Sequence, residues 1–153
     1  MILNIEDGAK LKLNCAGVVV LRKYNNSYKV ALIHDINKEG LGLPKGGREK
    51  GEKITDACIR ELKEETGLLE SDIVLNKKKC VIEIKQKSGK PNIFYLVATY
   101  EKNNEHTFTY DLKEIDFADW IEINKLKEDM YPIPINNQKI NVIKDAIKII
   151  EEN

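Results

Sequence analysis

The sequence predicts an α/β fold, an α/β/α sandwich built around a mixed β-sheet. Three observations carry this. Short apolar runs, residues 15–21 (CAGVVVL), 28–33 (YKVALI) and 93–100 (IFYLVATY), have the length and residue types of strands. Between them, Ile54, Cys58 and Leu62 recur at helical spacing in a stretch that runs up to Gly67, a natural helix stop. At the end of the chain Ile140, Ile143, Ile147 and Ile150 repeat that period. Strands on either side of one helix, with another helix to finish, give a sheet with a helical layer on each face.

Taken in order, residues 10–14 alternate only weakly, and the first clear strand is 15–21. Asn25, Asn26 and Ser27 are turn residues, so residues 28–33 return as the second half of a hairpin. His34 follows, a histidine that either touches substrate or is merely solvated. Gly40 and Gly42 then lead into residues 43–52 (LPKGGREKGE). After the helix, residues 80–84 and 93–100 are two strands joined through Ser88, Gly89, Lys90 and Pro91, and residues 101–111 form a polar loop. Residues 115–121 return as a strand carrying Trp120. Asn124 is placed to cap a short helix over 125–130, and residues 131–134 make a stiff, proline-containing connector. No repeat or linker divides the chain, so residues 1–153 are expected to form one domain.

Composition excludes several classes of function. Lys+Arg 25 balances Asp+Glu 25, so nothing draws the whole chain to nucleic acid or to an anionic membrane. Any grip on a polyanion must be local. Cys15, Cys58 and Cys80 are odd in number and stand at no metal-ligand spacing, which favours packed thiols in a reducing compartment. The first residues lack the charge and apolar run of a signal peptide, and no stretch is long enough to span a bilayer. The expectation is a soluble, cytoplasmic protein.

The chemistry is concentrated in residues 46–68, where Gly46 is followed after five residues by Glu52 and after seven more by Arg60, Glu61, Leu62, Lys63, Glu64, Glu65, Thr66, Gly67 and Leu68. On a helix, Glu61, Glu64 and Glu65 fall within roughly a 100° arc. Each like-charge pair costs on the order of 0.2–0.5 kcal/mol when exposed, and more when pressed toward a core without a positive partner. Oxygen ligands with no histidine or cysteine beside them suit Mg²⁺, with Mn²⁺ as a substitute, rather than zinc. A solvated charged face paired with Arg60 and Lys63 is the plain alternative for three glutamates taken alone.

Gly46-x5-Glu52-x7-Arg60-Glu61-Leu62-x-Glu64-Glu65-x-Gly67-Leu68 matches the full signature of the Nudix hydrolases, and the flanking strands fit that family too. The resemblance implies a metal-dependent enzyme that cleaves a phosphoanhydride in a nucleoside diphosphate joined to another group. Carried onto this chain, it makes Glu61 and Glu65 metal ligands, with the Gly46 carbonyl beside them, and gives Glu64 as the base. In other branches of the family a later carboxylate is the base; Glu101, Glu105 and Glu114 are its candidates here. Lys45, Gly47 and Arg48 would meet substrate phosphates, while Glu52 and Arg60 would pair and orient the ligands.

For substrate, residues 43–52 resemble the loop of hydrolases acting on diadenosine polyphosphates and on diphosphoinositol polyphosphates. The inositol reading demands a strongly basic pocket, yet residues 111–119 (DLKEIDFAD) are acidic where such relatives are basic. Lys77, Lys78, Lys79, Lys85, Lys87 and Lys90 either supply that charge or form a solvated hairpin. Phe108 and Tyr110 are candidates to stack a base, or else close the sheet edge. Leu41 replaces the aromatic expected before the loop. The expected partner is therefore a small polyphosphate such as diadenosine tetraphosphate, with no membrane and no nucleic acid except capped RNA as a substrate. A non-catalytic scaffold is the reading of another class, set against by the complete glutamate set.

Overall fold

The structure, a computed structural model, describes residues 1–127 and 134–152. Its strands are β1 (Ile2–Asn4), β2 (Cys15–Tyr24), β3 (Ser27–Asp35), β4 (Lys45–Gly47), β5 (Val74–Ile84), β6 (Pro91–Thr99) and β7 (Ile115–Glu122). The helices are α1 (Ile5–Ala9), α2 (Ile54–Thr66), α3 (Ile123–Lys127) and α4 (Asn137–Glu151). The sheet runs β1-β5-β6-β2-β3-β7, with β4 beside β2. Its β2–β6 pair is parallel and its other pairs are antiparallel, so it is mixed, as expected.

Alternation along β2 builds both cores. Val18 and Val20 point into a cluster with Ala57, Cys58 and Leu62 of α2. Val19 and Leu21 point the other way, into a cluster with Val142, Ile143, Ala146 and Ile149 of α4. Each fully buried leucine or valine contributes roughly 1.5–3 kcal/mol, which is why two short amphipathic helices suffice to hold the layers. The buried stripe of α4 is rotated from the expected one. Val142, Ala146 and Ile149 are at its centre with Ile143, while Ile140, Ile147 and Ile150 are only partly covered.

The β2–β3 hairpin turns through Asn25 and Asn26, both at positive φ (47° and 59°), the geometry of a two-residue primed turn. Helix α2 stops at Gly67, whose φ of 78° is the left-handed cap its position predicted. Four features were not legible in advance. Residues 2–4 form an edge strand on β5, and residues 5–9 form a short helix. Strand β5 begins six residues earlier than the expected 80–84, its register shifting between Leu75 and Cys80. Helix α3 begins at Ile123, which puts Asn124 inside it rather than at its cap. The expected extension of that helix over 128–130 and the connector at 131–133 lie outside the described residues.

One feature of the sheet positions everything that follows. Strand β2 pairs with β3 only from Leu21 to Tyr24; at its other end, residues 15–17 pair with β4 instead. Strand β3 swings away to β7, and the segment between β3 and β4 fills the fork. Gly42 exchanges backbone hydrogen bonds with Ile33, and Val18 donates its N–H to the Pro44 carbonyl. Gly17 sits at the parting, where a β-carbon would overlap the Pro44 carbonyl oxygen. The lysine-glycine turn is thus a rung of the sheet.

Candidate active site

Strand β4 and helix α2 meet through backbone and carboxylate. The Lys45 N–H donates to Oε1 of Glu65 at 2.8 Å. Gly46 lies against Glu61 so closely that any β-carbon there would overlap the carboxylate oxygens. Glu61 is 8% exposed and Glu65 9%. Burial raises the Glu65 carboxyl to about 7, the neighbouring Glu61 charge adding to it, and burial likewise raises Glu61. The field of Asp35 reaches Glu65 as well, a contributor that sequence reading did not single out.

Arg60 ties this cluster to the loop. It donates Nε–H to Oε2 of Glu52 and Nη2–H to Oε1 of Glu52, each at 2.9 Å, a two-pronged pair that holds the Glu52 carboxyl down at about 2. Nη2 also donates to the Gly47 carbonyl at 2.8 Å, and Nη1 to Glu61 Oε1 at 2.8 Å. Glu64, whose side chain is 55% exposed, takes longer contacts of 3.3 Å from the same Nη1. Arg48 donates its backbone N–H to the Asn14 carbonyl, and its charge acts on Glu52.

The later carboxylates separate clearly. Glu101 accepts a hydrogen bond from Thr99 Oγ1, and Glu105 is gripped by both terminal nitrogens of Arg22. Arg22 and Thr99 belong to the end of the sheet opposite Cys15 and Ile93. Of the three, Glu114 is among the charges that raise Glu61. His34 is neither free nor at the glutamate cluster: its ring lies 2.6 Å from Asp116 Oδ1 and 3.0 Å from the Lys38 carbonyl. Phe108 packs edge-on to His106 and Trp120, with centroids at 4.7 and 5.5 Å, so it closes the core rather than offering a stacking face. Lys77, Lys78, Lys79, Lys85, Lys87 and Lys90 are all exposed.

A cavity of about 220 Å³ opens beside Lys45 and Glu65 at the fork of the sheet. Its floor is a buried ion pair across the second core. Lys139 of α4 donates to Glu83 Oε1 of β5 at 2.7 Å and to the Tyr95 hydroxyl at 3.2 Å. Sequence reading missed this pair; Glu83, which interrupts the apolar run of residues 80–84, was the available signal, whereas Lys139 follows the polar residues 136–138 and gave none.

The donors present fit a hard divalent cation. They are oxygens only, two of them on buried acids whose charge Arg60 offsets in part, and Gly46 leaves the space before Glu61 free of a side chain. No group of three or more His, Cys, Asp or Glu among the described residues is already gathered at ligand distances.

A sandwich with helix-borne carboxylates set against a glycine turn is the frame of a phosphohydrolase. The NUDIX domain family model matches residues 13–145, and the chain belongs to that family; it is a Nudix hydrolase. An RNA pyrophosphohydrolase of Campylobacter jejuni is 26% identical over 163 aligned residues, covering 97% of both chains. The m7GpppN-mRNA hydrolase of Saccharomyces cerevisiae is 30% identical over 117 residues, covering 76% of this chain; the chain spans only 12% of that relative's length. Among solved structures, a C. elegans Ap4A hydrolase binary complex superposes with a TM-score of 0.68 at 20% identity, covering 92% of this chain and 99% of the other. Members of the family use divalent metal ions. No helix among the described residues is long and apolar enough to cross a membrane.

Proposed function

We propose that this enzyme uses Mg²⁺ to hydrolyse a phosphoanhydride in a nucleoside diphosphate joined to another group, with a dinucleoside polyphosphate such as diadenosine tetraphosphate as its substrate. The observation that carries the reading is the pair of buried acids, Glu61 and Glu65, held against the Lys45–Gly46 backbone. Glu61, Glu65 and the Gly46 carbonyl would hold the ion. When bound, the ion supplies positive charge against the phosphates and increases the acidity of water.

The remaining residues divide the work. Lys45, which lines the cavity, would bring its ammonium to a phosphate of the substrate, and Gly47 with Arg48 would extend that contact along the turn. Glu64, the exposed acid of the three, accepts the proton of the attacking water. Arg60 and Glu52 keep α2 and the turn in register, so that ligands on one and backbone donors on the other face a common point. A second assignment of the base, Glu114, is favoured by its field at Glu61.

A second substrate reading, the 5′ end of an RNA, draws on the Campylobacter relative that aligns with nearly all of both chains. The deciding experiment is incubation with Mg²⁺ and a panel: diadenosine tetraphosphate, nucleoside triphosphates, ADP-ribose, capped and 5′-triphosphorylated RNA, and a diphosphoinositol phosphate. The reading expects new nucleotide products from diadenosine tetraphosphate at the highest kcat/KM. Turnover of none of these would point to a binding scaffold.

A further inference from the structure

We propose that the cavity beside Glu65 receives the nucleobase of the substrate, and that Asn92 together with the Glu83–Lys139 pair selects it. This rests on the hydrolase reading above and adds where the organic part of the substrate goes. The cavity shares Lys45 and Glu65 with the hydrolytic cluster, so a substrate anchored on the turn extends directly into it.

Charge decides what kind of group fits. Four carboxylates, Glu65 and Glu83 among them, face three lysines, Lys45 and Lys139 among them. A surface so balanced gives no net attraction to a dense polyanion, and an inositol polyphosphate needs a strongly basic pocket. A neutral ring bearing donors and acceptors suits it. The walls agree, since Ile33, Leu41, Leu43 and Ile93 supply flat apolar contact. At roughly 30 Å³ per water the volume equals about seven waters, enough for a base or a sugar ring and too little for a whole nucleotide.

The floor supplies the reading groups. A buried ion pair contributes little net stability relative to apolar residues of the same size, so energetics alone gives no reason for Glu83 and Lys139 to be there. Closed into a triad with Tyr95, they present a fixed donor and acceptor at the cavity floor. Asn92 lines the same space, and its side-chain amide has no hydrogen bond among the described residues. An amide offers two donors and an acceptor, the pattern that pairs with the edge of a base. Phe108, one of the two aromatic candidates for stacking a base, is already packed.

Gly42 provides the test. It lines the cavity, its φ is not positive, and a β-carbon added there meets nothing within 4 Å. Gly42→Leu should therefore fold normally and fill the space. With the best nucleoside substrate of the panel, its KM should rise by at least about tenfold, and Asn92→Ala should raise KM about fivefold or more and change the ranking of adenine against guanine substrates. Inhibition by inorganic tripolyphosphate, which has no base, should stay within about twofold of wild type in both. An unchanged KM in Gly42→Leu, with circular dichroism showing a folded protein, overturns the proposal. Equal weakening of tripolyphosphate overturns it too, because the cavity would then hold phosphate. Should the wild type cleave nothing in the panel, the hydrolase reading fails by itself. The cavity is then tested by calorimetry with AMP and GMP: binding lost in Gly42→Leu supports the proposal, and binding retained, or none in the wild type, refutes it.

Discussion

Gly46 and Glu61 are in van der Waals contact across the gap between strand and helix, with the carboxylate occupying the space that any larger residue at 46 would need. Gly46→Ala must therefore displace either the strand or the acid. The expected cost is about 1–3 kcal/mol of stability, with a loss of about 10–100-fold in kcat/KM, because a displacement near 1 Å at a ligand is enough for that. Denaturant unfolding beside steady-state kinetics checks both. Wild-type activity in Gly46→Ala would show that the contact is incidental.

Glu65→Gln keeps the shape and the acceptor for the Lys45 N–H while removing a buried charge. The fold should survive and turnover should fall below detection. A second readout is thermal: Mg²⁺ should raise the Tm of the wild type by binding the native state and leave that of Glu65→Gln unmoved. Retained turnover in that variant refutes its assignment as a ligand.

Glu64→Gln and Glu114→Gln divide the two candidates for the base. Assignment to Glu64 expects a loss of about 10²–10⁴-fold in kcat for the first and less than about tenfold for the second. The reverse order transfers the role to the loop.

Glu52→Gln breaks the fork that Arg60 makes and frees the Gly47 contact to drift. A folded variant with kcat/KM down by about 10–100-fold is expected. Arg60→Lys should do similar damage despite keeping its charge, since an ammonium cannot span Glu52 and the Gly47 carbonyl together.

His34 gives the pH dependence. Both ring nitrogens face acceptors, Asp116 and the Lys38 carbonyl, and a histidine satisfies two acceptors only when protonated. The hydrogen bond to Asp116 raises its pKa above 6.5. A raised histidine pKa stabilises the fold fully below 6.5, and that contribution is lost as pH rises through the folded value. The pair is exposed enough to be worth less than about 1 kcal/mol. Stability measured from pH 5.5 to 8.5 should decline by that amount relative to His34→Gln. Only two histidines occur in the chain, so a proton NMR titration reads the value directly.

How much of this was legible in the sequence differs by element. The hairpin, α2 and the presence of α4 were readable because Asn25–Asn26, Gly67 and the isoleucine period each encode local geometry, although the buried stripe of α4 is rotated from that period. Strand β1 and the first half of β5 were not, because residues 2–4 become a strand only by pairing with 79–81, and residues 74–75 only by pairing with 98–99 of β6. At the proposed site, the signature and the resemblance it carries singled out Glu61, Glu65, Glu52 and Arg60, since all lie on one helix or the loop before it. Asp35, Asn92, Glu83 and Lys139 come from four distant segments, and no local pattern announces that they share a cavity. His34 was visible as a residue but not as a clamp, for its partner Asp116 lies 82 positions away.

The parting of the sheet at Gly17 keeps two jobs on separate pieces of chain. The proposed metal-binding turn is paired to β2 through β4, whereas the segment from Ile36 to Pro44 is wedged between diverging strands by the Ile33–Gly42 backbone bonds and by the buried Leu41 and Leu43. Changes confined to its exposed positions, 36–39, should therefore alter what the fork admits while leaving the turn beneath in place.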